Sequence, residues 1–261
     1  MSLFKVATWN VNSLSVRLEH VLAWLASERP DVLALQETKL TDERFPVSAI
    51  EAAGYHAVYS GQKAYNGVAI VSRSPVSDVV FDIPGLQDSQ RRVLGASWEG
   101  VRILNVYVPN GQSVGSDKYA YKLDWLSSLS AYVQQQLAGN PKLVVLGDFN
   151  IAPEDRDVHD PALWEGHVLV SDAERAAFRH ILDAGLCDTF RRFEQPEKQF
   201  SWWDYRMGGF RRNHGLRIDH ILASQALCGC CRSCRIDRGP RALQRPSDHT
   251  PVIAEFGSAG C

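Results

Sequence analysis

The sequence predicts an α/β protein built as two β-sheets packed face to face, with helices covering both outer surfaces. Three observations lead there. The chain opens strand–helix–strand, a series of five strand-like runs follows with no helix between them, and the alternation of helix and strand then resumes in the second half.

Residues 3–9 read as a buried strand that ends in the polar Asn10-Val11-Asn12. Over 16–25 the apolar residues Val16, Leu18, Val21, Leu22 and Leu25 recur at helical spacing, and Pro30 stops the pattern. Val32-Leu33-Ala34-Leu35 is a short apolar strand that delivers Gln36-Glu37 at its end. Residues 55–60, 67–72, 76–83, 92–98 and 101–106 read as strands separated by Gly, Pro, Asn and Asp turns. From 119 to 137 the helical period returns in Leu123, Leu126, Leu129, Val133 and Leu137, and Gly139-Asn140-Pro141 ends it. Residues 142–146 form another buried strand, presenting Asp148 and Asn150. A helix over 172–184 and strands near 199–203, 216–223 and 252–256 complete the chain.

With 261 residues, 45% of them hydrophobic, and no Pro/Gly/Ser-rich linker, residues 1–261 read as one domain. No stretch approaches the about 20 apolar residues of a membrane span. The chain enters directly at Leu3-Phe4-Lys5-Val6-Ala7 with no basic-then-apolar leader, and it carries no heptads, so a cytoplasmic monomer is expected. A net charge of −2 argues against indiscriminate nucleic-acid binding. Basic segments exist nonetheless: 206–217 holds no acid, and Arg232, Arg235, Arg238, Arg241 and Arg245 follow against Asp237 alone. With Trp202, Trp203, Tyr205 and Phe210 alongside, this region suits contact with a phosphate backbone. Of six cysteines, Cys228, Cys230, Cys231 and Cys234 crowd together, with Cys187 and Cys261 elsewhere. Lacking a second separated pair, they read as reduced, partly buried thiols on a short helix after Ile221-Leu222-Ala223, with disulfides not expected.

The chemistry lies at strand ends. Asn10, Glu37, Gly147-Asp148-Phe149-Asn150, Asp219 and Ser247-Asp248-His249 each follow a β-branched or aliphatic run. Acids, amides and one imidazole are the parts of a metal-assisted phosphodiester hydrolase, because a hard divalent cation prefers carboxylate oxygens and water. Asp148 and Asn150 flank Phe149, so on an extended backbone both point one way while Phe149 enters the core. In Asp248-His249 the adjacent acid and imidazole diverge, leaving Asp219 free to hydrogen-bond the ring. Tyr107, at a strand end before Pro109-Asn110-Gly111, could hold a phosphate. Each also has a plainer use: a helix cap or a Lys39 pair for Glu37, an Asx turn for Asp148 and Asn150, core packing for Tyr107. His20, His56, His159, His167 and His180 lack acidic company and read as surface or core residues.

In combination and order these motifs are specific. The chain resembles the exonuclease III family of DNA-repair nucleases, within the wider endonuclease/exonuclease/phosphatase superfamily, nearly end to end. The resemblance rests on Thr8-Trp9-Asn10-Val11-Asn12-Ser13-Leu14, Leu35-Gln36-Glu37-Thr38-Lys39, Gly61-Gln62-Lys63, Asn66-Gly67-Val68-Ala69 and Gln90-Arg91-Arg92 in the first part of the chain. Further on it rests on Gly147-Asp148-Phe149-Asn150-Ile151-Ala152-Pro153, Trp203-Asp204-Tyr205-Arg206, Gly215-Leu216-Arg217-Ile218-Asp219 and Pro246-Ser247-Asp248-His249-Thr250-Pro251.

The resemblance implies a four-layer α/β sandwich and a divalent cation, normally magnesium with manganese able to substitute. It also implies hydrolysis of duplex DNA at abasic sites or at damaged or recessed 3′ ends. By the same resemblance Glu37 is the principal metal ligand, supported by Asn10, Asn12 and Asp248. Asp148 activates water, Asn150 orients the attack, Tyr107 contacts phosphate, and Asp219 and His249 form the acid–imidazole pair. Trp202, Leu216 and Ile218 match an apolar pocket that would admit a flipped abasic sugar. Lys63, Arg91, Lys122 and Arg206 fall at or near positions along the DNA track. Three features depart from the family: His220, where an apolar residue is usual; the thiol-rich 228–234 segment; and the loop between Asp155 and Asp172. Two other readings stay open at this stage. One is a superfamily hydrolase acting on RNA, inositol phosphates or sphingomyelin, and the other is a DNA-binding module whose site has decayed.

Overall fold

In the computed structural model, which describes residues 3–257, the strand-forming runs assemble into two mixed six-stranded sheets. The first half of the chain forms β1 (Leu3–Asn10), α1 (Leu14–Glu28), β2 (Val32–Gln36), α2 (Val47–Ala52), β3 (His56–Ser60), β4 (Val68–Ser72) and β5 (Ser77–Phe81). It continues through β6 (Val93–Trp98), β7 (Val101–Tyr107), α3 (Asp117–Gly139) and β8 (Leu143–Asp148). The second half forms α4 (Pro161–Trp164), α5 (Asp172–Asp183), β9 (Leu186–Asp188), β10 (Trp202–Trp203), α6 (Gly209–Arg212) and β11 (Gly215–Leu216). It ends with β12 (Asp219–Ser224), α7 (Gln225–Cys228), β13 (Cys231–Ile236) and β14 (Val252–Gly257).

One sheet runs β13-β14-β1-β2-β4-β3 and the other β5-β6-β7-β8-β12-β9, while β10 and β11 form a separate ribbon. Within the two large sheets only the β1–β2 and β7–β8 pairs are parallel. Three apolar clusters glue four layers together. Val6, Val32, Ala34, Ile70, Leu94, Ile103, Val144, Leu146 and Ile221 fill the space between the sheets. Trp9, Val21, Trp24 and Leu25 join α1 to the first sheet, and Trp125, Leu129, Val133, Phe178 and Ile181 join α3 and α5 to the second. Each fully buried aliphatic side chain contributes about 1.5–3 kcal/mol relative to exposure.

A polar bridge fixes the two sheets at one height: Gln36 donates to Thr8 Oγ1 and to Asn105 Oδ1, and Asn105 donates to the Leu35 and Ala69 carbonyls. At Gly147 a side chain is excluded, because an added Cβ would lie 1.8 Å from the Val106 carbonyl oxygen. That absence lets β8 lie close against β7, which brings Tyr107 level with Asp148.

Several expectations need correction. The strand near 199–203 shrinks to Trp202–Trp203, and the one near 216–223 breaks into β11 and β12 around Arg217-Ile218. β11 pairs with β10 while β12 pairs with β8 and β9, and between them Arg217 is buried against Asp157 and Asp188. The thiols do not share a helix: Cys228 ends α7, whereas Cys231 and Cys234 point inward from the edge strand β13. A register shift between Cys231 and Ser233 hides the strand's alternation in the sequence. Cys187 on β9 and Cys228 at the end of α7 come together, with Cα atoms 6.4 Å apart. Cys261 lies outside the described residues.

Candidate active site

Parallel and antiparallel pairing set three polar side chains in a row across the second sheet. Tyr107 pairs with Asp148, and Asp148 pairs with Asp219, so the ends of β7, β8 and β12 present a phenol and two carboxylates side by side. The first sheet contributes Asn10 from the end of β1 and Glu37 just beyond β2. Asn12, Glu37 and Asn150 all adopt left-handed backbone conformations, with φ of 43°, 52° and 50°. Such strain concentrates where side chains must be aimed against local preference.

His249 arrives on the loop before β14. That loop is fastened by Ser247 Oγ donating to the Asn10 carbonyl, by Trp9 Nε1 donating to the His249 carbonyl, and by Trp203 N–H donating to the Asp248 carbonyl.

The Asn10 amide bridges the two halves, donating to Glu37 Oε1 at 2.8 Å and to Asp148 Oδ2 at 2.9 Å. His249 Nδ1 lies 2.9 Å from Asp219 Oδ2, and its Nε2 faces Asp148 Oδ2 at 3.7 Å. Burial alone would strip the proton from this ring, but the carboxylates of Asp219, Asp148 and Asp248 outweigh it and hold the imidazolium up to about 10. Burial also dominates at Asp148, raising its carboxyl to about 7, with His249 pulling down and Asp219 pushing up. Tyr107 is pushed well above its ordinary value by burial and by the negative charges of Glu37 and Asp148, so its hydroxyl stays a donor. The Arg92 guanidinium sits 4.7 Å from the centre of the phenol ring.

Among the described residues, ligand atoms of Glu37, Asp148 and His249 lie within 4.8 Å of one another. A protonated His249 offers no lone pair, which leaves the carboxylate oxygens of Glu37 and Asp148. Hard oxygen donors flanked by a neutral amide fit a divalent cation that keeps several of its waters. Asp248 stands outside that cluster: its Oδ1 accepts from Asn12 at 2.9 Å and its Oδ2 from the Trp202 indole at 3.0 Å. Lys39 joins the site as the ion-pair partner of Glu37, at 2.9 Å, the plainer use the sequence offers for that carboxylate, and it donates to Asn12 Oδ1. Asn110 donates to Asn150 Oδ1. For Asn110 the only sequence signal was its position after Tyr107.

The DNA-track residues divide. Lys63 and Arg206 are exposed, Arg206 beside Asp204, and Arg91 is half-buried against Asp82. Lys122 requires correction. It is fully buried, ion-paired with Glu174, and donates to the Asn150 and Asn110 carbonyls, because α3 turns it inward against α5. The pocket expected from Trp202, Leu216 and Ile218 is also different. Trp202 is partly exposed, but Leu216 and Ile218 are 0% and 1% exposed, sealed into a cluster with Ala152, Val158 and Leu169. His220 points away from the acid–imidazole pair, lying between Arg217 and the Ile151 carbonyl.

A two-sheet sandwich with carboxylates, an amide, a phenol and an imidazolium gathered at one rim defines a phosphodiester hydrolase. The chain belongs to the Endonuclease/Exonuclease/phosphatase family, whose model matches residues 7–249. It is 35% identical to the exodeoxyribonuclease III of Haemophilus influenzae over 265 residues, covering 97% of this chain and 99% of the relative. Among solved structures, a 3′ phosphatase from Neisseria bound to a product DNA hairpin is 49% identical with a TM-score of 0.96, covering 97% of this chain and 99% of that one. An AP endonuclease from Archaeoglobus fulgidus is 40% identical with a TM-score of 0.94, at the same two coverages of 97% and 99%.

Proposed function

We propose that this DNA-repair phosphodiesterase, a hydrolase acting on DNA, is a magnesium-dependent enzyme of duplex DNA. In this reading it clears 3′-blocking groups and 3′ nucleotides more readily than it cuts 5′ of abasic sites. The observation that carries the hydrolytic reading is the meeting of Glu37, Asp148, Asp219 and His249, from both sheets, in one cluster. Residues 1–261 act as one catalytic domain, as a monomer in the cytoplasm.

Glu37 would hold the cation, with Asn10 aligning it, and manganese would fit the same oxygens. When bound there, the cation supplies positive charge opposite the phosphoryl oxygens and lowers the cost of the negative charge that builds on them. Asp148, with a carboxyl that titrates near neutrality, accepts the proton of the attacking water. Asn150, which donates to Asp148 Oδ2 at 3.3 Å, orients that water. The Tyr107 hydroxyl and the His249 imidazolium, kept charged by Asp219, donate to the phosphoryl oxygens as charge accumulates. Asp248 positions Asn12 and Trp202 beside the substrate path rather than ligating the cation directly. Lys63, Arg91 and Arg206 meet the DNA backbone.

The preference for 3′ ends rests on Leu216 and Ile218. An abasic sugar needs an open apolar recess, and here both side chains lie within closed packing. The greater similarity to a 3′ phosphatase than to an AP endonuclease supports the same reading. The test compares rates on an internal abasic duplex, a 3′-phosphate nick and a recessed 3′-hydroxyl end, with Asp148→Asn and Glu37→Ala as controls. The two variants should lose cleavage while keeping most DNA binding, and wild type should turn over the abasic duplex slowest. Abasic incision as fast as 3′-phosphate removal would overturn the preference, and undiminished cleavage by either variant would overturn the assignment of roles.

A further inference from the structure

Beyond Asp148 the chain leaves β8 and runs irregularly through 149–152 before the next helical turn. An irregular buried segment must find partners for its backbone groups outside any ladder. Here three successive carbonyls are each taken by a side chain from a different element. Lys122 Nζ, from α3, donates to the Asn150 carbonyl at 2.6 Å. His220 Nε2, from β12, meets the Ile151 carbonyl at 2.9 Å. Arg175 Nε, from α5, donates to the Ala152 carbonyl at 3.1 Å.

Each donor is itself held. Lys122 is paired with Glu174, and Arg175 reaches Asp155 at 2.8 Å. His220 Nδ1 lies 3.1 Å from Arg217 Nη1. A guanidinium only donates, so Nδ1 must accept, and a carbonyl only accepts, so Nε2 must carry the hydrogen. Both contacts therefore specify the neutral Nε2–H tautomer. The imidazole also packs edge-on against Phe149, the residue between Asp148 and Asn150, with ring centres 5.5 Å apart.

The segment they hold sets the aim of the site. Asn150 N–H donates to Asp148 Oδ1 at 2.9 Å, so the placement of the 149–150 backbone decides where that carboxylate points. Asn150 sits at φ 50°, a conformation asparagine tolerates but does not favour. Rotation of the following peptide out of that well would move the Asn150 side chain away from the Val108 carbonyl and from Asp148 Oδ2, to which it donates.

We propose that Lys122, His220 and Arg175 form a three-point clamp on the carbonyls of residues 150–152, and that these positioning residues preset the orientation of Asp148 and Asn150 before substrate arrives. The inference rests on the catalytic reading above for its kinetic consequence, but the clamp itself is a structural claim with its own readout. An apolar residue at 220 would leave the Ile151 carbonyl without this donor.

The test uses His220→Phe, which keeps the ring packing against Phe149 and drops the donor, and His220→Gln, which restores an N–H near the Nε2 position. His220→Phe should speed amide hydrogen exchange in 149–152 about tenfold and lower kcat on a 3′-phosphate nick by about fivefold to tenfold, with KM within twofold. His220→Gln should recover kcat to within threefold of wild type. Ile50→Val, a core change under the opposite sheet, should leave both quantities unchanged. Exchange in 149–152 as slow as wild type, full kcat in His220→Phe, or a His220→Gln variant as slow as His220→Phe would each overturn the clamp. Should His220→Phe not fold, Arg175→Met releases the outermost point, and unaltered exchange at 150–152 in that variant overturns the proposal equally. If wild type acts on none of the 3′ substrates, the functional reading falls and the exchange measurement alone decides the clamp.

Discussion

Lys122→Ala separates two opposite views of one residue. As a surface cation on the DNA track, its loss would change stability by no more than about 0.5 kcal/mol and reduce the salt slope of DNA binding by about one. The structure implies the reverse. Lys122 and Glu174 are both 0% exposed, and the ammonium holds the Glu174 carboxylate together with the Asn150 and Asn110 carbonyls. Truncation leaves a buried carboxylate without its counter-charge, although Glu174 keeps the Leu169 N–H, the Ser171 N–H and the Ser171 hydroxyl as donors. Breaking one side of such a pair costs about 3–5 kcal/mol. For a domain of this size that corresponds to a fall in Tm of roughly 10 °C. Urea unfolding monitored by tryptophan fluorescence measures the loss, and a salt titration of DNA binding measures the slope. Lys122→Met combined with Glu174→Gln should recover part of the stability, because the uncompensated charge is then gone. A variant within about 0.5 kcal/mol of wild type, with a salt slope lowered by about one, would refute the buried-pair reasoning.

Two further outcomes follow from the site's electrostatics. Burial, reinforced by the Arg217 charge, depresses His220 to about 4 from an ordinary 6.5, so the unfolded chain binds the proton more readily than the folded one. The associated stability is fully present above pH 6.5 and is lost as pH falls toward 4; the difference in unfolding free energy between wild type and His220→Phe should shrink by about 2 kcal/mol from pH 7 to pH 5, and a constant difference would contradict the neutral ring. Asp219→Asn removes the largest of the charges that keep the His249 imidazolium protonated. In steady-state assays its kcat should fall roughly 10²–10³-fold with DNA affinity retained, and a loss smaller than about fivefold would show that the charged ring is dispensable.

Local pattern carried much of the architecture. Two-residue and 3.6-residue periodicities depend on nearest neighbours, so the strands that became β1, β2, β4, β6, β7 and β8 and the helices α1, α3 and α5 were legible, as was the two-sheet sandwich they compose. Others were not: β13 is interrupted by a bulge, β9 has three residues, and β11 and β12 pair in different sheets on either side of Arg217-Ile218.

The sequence by itself determined which side chains stand at the strand ends, because a polar residue closing an apolar run has nowhere to go but the rim of a sheet. Only the tertiary structure decided which way the remaining ones face. Lys122 is turned inward by Glu174, 52 positions later; Leu216 and Ile218 are closed over by Val158 and Leu169; and Cys187 meets Cys228 across 41 residues. Orientation of that kind depends on what packs opposite, and the packing partner is supplied by remote chain whose proximity no local spacing encodes.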